Sequence, residues 1–71
     1  MVDSHFNELV LSALENSPHV PLRNLRFEAS EGRVVLRGMV RSYFQKQMAQ
    51  ETLMALDAVD AIENQLEVSW S

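Results

Sequence analysis

No cysteine occurs in the 71 residues. Disulfides, thiolate metal sites and a cysteine nucleophile are all excluded with it. Glycine is nearly as scarce: there are two, Gly32 and Gly38. They stand too far apart for a phosphate-cradling loop, and the GXXG loop of KH-type RNA binding is missing. No stretch approaches the ~18 consecutive apolar residues that cross a bilayer. The two histidines, His5 and His19, have no metal-ligand spacing to each other or to a carboxylate. They are expected on the solvated surface. The carboxylates fall at outward positions, and no nucleophile or acid–base pair can be assembled. The expectation is therefore no enzyme, no cofactor and no metal. Positive charge is short too, with six Lys+Arg against ten Asp+Glu and a net charge of −4. Such a balance argues against nucleic-acid binding.

What remains is one small domain, residues 1–71, resting on packing alone. Phe6, Leu9, Val10, Ala13 and Leu14 fall at i, i+3, i+4, i+7 and i+8. That spacing predicts a helix over 3–16 with one apolar stripe. Asp3 or Ser4 is placed to cap it, and Pro18 to end it. A loop follows through Asn24, pinned to the core by Val20 and Leu22. Residues 25–30 and 33–40 alternate apolar and polar, and Glu31-Gly32 suits a two-residue hairpin turn. Such a turn pairs Ser30 with Arg33, Phe27 with Leu36 and Leu25 with Gly38. Leu25, Phe27, Ala29, Val34, Leu36 and Gly38 then share one face, with Val35 and Met39 on the other. Gly38 leaves a gap in that face, a mark of close approach by another element. Small Ala49 is placed to fill it.

Ser42 and Gln45 have capping-box spacing for a second helix, with Gln45, Ala49, Thr52, Leu53 and Leu56 inward. Ile62, Asn64, Leu66, Val68 and Trp70 then alternate with polar residues, as a last strand does. Asn64 on the buried face needs partners, expected from the adjacent loop. Trp70 is expected to close the edge of the core. The order αββαβ places two helices on one face of a three-stranded mixed sheet, an α+β two-layer sandwich. The third strand should run parallel to the second, beside either the second or the first.

Two runs in this pattern carry a family likeness. Val34, Leu36, Gly38, Val40 and Ser42 form the first; Val59, Ile62, Asn64, Leu66 and Val68 form the second. With the element order around them they resemble the BON domain, named for bacterial osmotically inducible and nodulation proteins. Gly38, Ser42, Val59 and Asn64 are its motif positions here, and Gly32 of the turn and Gln45 of the capping box are expected to be structural beside them. The family usually has glycine before the late valine, where this chain has Ala58. The resemblance implies a non-catalytic binding module, often membrane-associated. As written, the chain reads as cytoplasmic; excised from a longer exported protein, it would be periplasmic or of the envelope.

The charge is concentrated. From Gly32 to Gln50 there is no acidic residue, yet Arg33, Arg37, Arg41 and Lys46 all lie there, with Tyr43 and Phe44. Arg26, Arg33 and Arg37 share the outer sheet face with Glu28, Glu63 and Glu67, and a cross-strand charge ladder is expected. Phe44 sits about 140° from the inward direction of its helix and Met48 about 100°. Phe44 either folds back over the strand–helix junction onto Val40 or stands out as an apolar ridge with Met48. Arg37, Arg41, Tyr43, Phe44, Lys46 and Met48 are the candidate surface. Its chemistry suits anionic phospholipid at a membrane, bound weakly. It suits equally a protein partner or a second copy, by this ridge or a free sheet edge.

Overall fold

A computed structural model describes residues 4–69. Helix α1 spans Ser4–Glu15, strand β1 Leu25–Ser30, β2 Arg33–Val40, helix α2 Tyr43–Met54 and β3 Ala61–Val68. Asp3 and Trp70 lie outside the described residues; Ser4 is already the first helical residue. A single 3-10 turn, Leu22–Asn24, closes the segment expected as loop and leads straight into β1.

The hairpin has the register that its turn dictates, from Ser30↔Arg33 to Leu25↔Gly38. Glu31 and Gly32 take φ of 50° and 80°. Two positive values in succession match the twist of the strands they join. Glycine is needed at the second. A Cβ on Gly32 would press into the Asp60 carboxylate, because Asp60 N–H and Ala61 N–H both donate to Gly32 O, at 2.7 and 3.3 Å. β3 lies parallel beside β2, not beside β1, giving the order β1-β2-β3. The chain makes the turn before Val59 with Ala58, and among the described non-glycine residues only Glu31 has positive φ.

β2 is the centre of the fold. Val34, Leu36 and Val40 point under both helices, against Phe6, Val10 and Leu14 of α1, Ala49 and Leu53 of α2, and Leu66 of β3. Val20 and Val59 close the core from the loops. Burying each large side chain stabilises by roughly 1.5–3 kcal/mol, so a domain this small needs all of them.

Gly38 does mark a close approach, but not by Ala49. A Cβ there would enter the backbone carbonyl of Asn24 and reach Leu25 Cα at 3.1 Å. The 3-10 turn brings that carbonyl over the end of β2, and Gly38 holds φ at 129°, a value side chains disfavour. The glycine gap thus receives chain entering β1. It also fixes what stands at this end of the sheet.

Candidate binding surface

Ser42 caps α2. Its Oγ accepts from Gln45 N–H at 3.1 Å, with Ser42 extended at φ −151°, ψ 159°. The return bond differs from a standard capping box: Gln45 Oε1 accepts from Arg41 N–H at 2.7 Å, one residue earlier than the cap. Together these bonds fix the path from β2 into α2. Arg41 is left outside the sheet, and Tyr43 and Phe44 fall on the outer side of the first turn, 66% and 55% exposed.

The two aromatics then diverge. Phe44 stays more than half exposed at the strand–helix junction. It meets the His19 ring edge to face, centroids 5.1 Å apart at 78°. Pro18 and Pro21 hold the loop that presents His19, and with Phe44 and Ser42 they border one open depression. His19 is exposed, as expected, but it is also the support on which Phe44 rests. Met48, one turn further on, is half-buried behind it. Tyr43 faces the other way, over Lys46, Gln50 and Asn64.

Asn64 finds its partners on α2, not in the loop before β3. Its Nδ2 donates to Lys46 O at 3.0 Å and Gln50 Oε1 at 3.2 Å, and its Oδ1 accepts from Leu66 N–H at 3.2 Å. The loop was the nearer choice along the chain, but the parallel crossover lays α2 directly over this part of β3. The result ties β3 to the helix start from inside.

The arginines fall into two groups. On the outer sheet face Arg33 pairs with Glu63 at 3.2 Å and Arg37 with Glu28 at 3.2 Å. Arg37 Nε also donates to Gln65 Oε1 at 3.3 Å. This is part of the expected ladder, with Gln65 as an added rung; Arg26 and Glu67 take no ion pair in it among the described residues. Arg37 is therefore separated from the other candidate residues and occupied. Arg41 and Lys46, by contrast, form no ion pair among the described residues. Arg23 and Arg26 form none either.

Two residues join the surface that the sequence reading passed over. Arg23 and Met39 border one depression with Asn24 and Gly38; Met39, Arg41, Asn24 and Ser69 border the next. Met39 is 50% exposed. The hairpin register carried the signal: extending Leu25↔Gly38 by a residue or two sets Asn24 and Arg23 beside Met39 and Val40. One end of the domain thus gathers Arg23, Arg41 and Lys46 with Met39, Tyr43 and Phe44. The opposite end holds Glu31, Asp57 and Asp60, at the hairpin turn and the α2–β3 loop.

Among the described residues no helix is long and apolar enough to cross a membrane, and no cluster of side chains fits a metal ion. The surface offers cations and exposed rings, so its chemistry is attraction and partition. Among curated proteins the chain has no significant match. A family model does match it, from residue 3 to residue 69. The chain belongs to the BON domain family, a family of binding-type modules.

Proposed function

We propose that the domain is a non-catalytic binding module that associates weakly with anionic phospholipid headgroups. The surface is the end carrying Arg23, Arg41, Lys46, Met39, Tyr43 and Phe44. One observation carries the reading: cations without acidic partners stand beside rings that are more than half exposed. Aromatic rings favour the headgroup layer, and each cation near an anionic surface contributes about 1 kcal/mol.

The net charge of −4 opposes this, and two of its carboxylates are near: Glu67 lies beside Met39, and Glu51 borders the depression of Tyr43 and Lys46. The others at the far end act only at a distance. Eight-residue strands separate the two ends by about 26 Å. That is several times the Debye length of about 8 Å at physiological salt. A domain standing on its basic end keeps Glu31, Asp57 and Asp60 screened from the bilayer.

Co-sedimentation with vesicles of phosphatidylglycerol and phosphatidylcholine tests it. Binding to the anionic vesicles, absent with phosphatidylcholine alone and lost at high salt, is the expected result. No binding to anionic vesicles even at low salt would overturn it. A protein partner at the same end would then be the reading to pursue.

A further inference from the structure

We infer that the free edge of β1 is a self-complementary docking strand for a second copy of this chain. This edge is independent of the headgroup reading, although Leu25 and Arg26 border the depression that Arg23 and Met39 share. With a two-residue turn, Ser30, Glu28 and Arg26 direct their backbone bonds inward to β2. Leu25, Phe27 and Ala29 therefore direct theirs outward. Two of those outward groups are already satisfied: Leu25 N–H donates to Leu22 O, and Ala29 O accepts from Asn7 Nδ2 at 3.4 Å. What is left open is Phe27 N–H and C=O, Ala29 N–H and Leu25 C=O.

These groups match one another across a two-fold axis. An antiparallel copy centred on Phe27 pairs Phe27 with Phe27 and Leu25 with Ala29, forming four bonds. The two groups without a place in that set are the two already satisfied. The same register sets Arg26 opposite the partner's Glu28, twice. Shifting either way by the next allowed step sets Arg26 on Arg26 or Glu28 on Glu28, which is unfavourable. Charge thus selects the register that the backbone also prefers. It also gives Arg26, which lies opposite Arg37 and has no ion pair among the described residues, a share in the partner's Glu28, a carboxylate that Arg37 holds within its own chain.

Above this edge Asn7 reaches Ala29, so Leu11, one turn on, stands on that same side of α1 and is 44% exposed, an apolar group on the side a second copy would approach. The other sheet edge offers no such match. β3 carries Glu63 and Glu67 outward and has no Lys or Arg, so any self-pairing there lacks a cation.

Sedimentation equilibrium from micromolar to millimolar chain tests the inference, with circular dichroism to check folding. The wild type should dimerise reversibly. Arg26→Glu alone and Glu28→Arg alone should each weaken the dimer roughly tenfold or more, since both cross-strand pairs become repulsive. Mixed in equal amounts, the two variants should regain dimer, because every pair is then of opposite sign. Amide exchange at Phe27 and Ala29 in the wild type should slow as concentration rises, which needs no variant at all. A wild type that stays monomeric, a mixture no tighter than its components, or concentration-independent exchange at both amides would overturn it.

Discussion

In β2, Arg33 and Arg37 each meet a carboxylate across the sheet; past its end, Arg41 and Lys46 meet none among the described residues. The four lie in one unbroken basic stretch. Their different fates follow from secondary structure. On a strand, the outer face of a three-stranded sheet brings Glu28 and Glu63 into reach at fixed register. At the start of a capped helix no register sets a carboxylate on each cation: Glu67 lies beside Met39 and Glu51 near Lys46, and neither forms an ion pair among the described residues. The same charge is framework in one half and available surface in the other. The exposed rings obey the same division: Tyr43 and Phe44 follow the strand's end.

The sharpest way to break this comparison is at the boundary. Gly38→Ala should cost about 3 kcal/mol or more, because φ is positive and a Cβ would enter Asn24 carbonyl. Urea unfolding reads it. A loss under about 0.5 kcal/mol would mean that Gly38 is not what joins the two ends of the hairpin there. Next comes Arg41→Gln combined with Lys46→Gln. Two cations at about 1 kcal/mol each should lower affinity for anionic vesicles about thirtyfold. Stability should stay within about 0.5 kcal/mol.

Ser42→Ala should remove about 1 kcal/mol of stability through loss of the cap to Gln45 N–H. Vesicle affinity should fall with it, since the cap sets the path of Arg41 and Tyr43; unchanged affinity would separate the cap from the surface. The smallest effect belongs to Arg37→Gln. Its pair with Glu28 is exposed on both sides, 57% and 68%, so stability should move by under about 1 kcal/mol. Vesicle affinity should not change. A drop matching that of Arg41 would erase the distinction between the halves.

Much of this was legible in residues. Alternation in 25–30 and 33–40 around Glu31-Gly32 determines the hairpin register, because a slip by one residue would set the buried face of one strand against the outer face of the other. The Ser42–Gln45 spacing announces the start of α2. The place of β3 was not legible, since a parallel crossover satisfies the pattern beside either strand. Nor was the neighbour of Gly38: that depends on a 3-10 turn whose residues, Leu22–Asn24, show no periodicity of their own. Phe44 resting on His19 is a contact between a helix and a proline loop, and no repeat in the sequence encodes it. At the candidate surface, Arg41, Tyr43, Phe44 and Lys46 were visible as a basic aromatic run. Arg37 was grouped with them by proximity in the chain, which the sheet separates. Arg23 and Met39 join only through the fold.

The most direct test is an amide NMR titration of the domain with anionic bicelles, repeated with zwitterionic bicelles and at higher salt. The account predicts shifts at Arg23 and from Met39 to Met48, seen only with anionic lipid and reduced by salt. Amides of Arg33 to Arg37 and of the Glu31-Gly32 turn should stay still. Shifts centred on the outer sheet face around Arg33 and Arg37, or none under any condition, would contradict it.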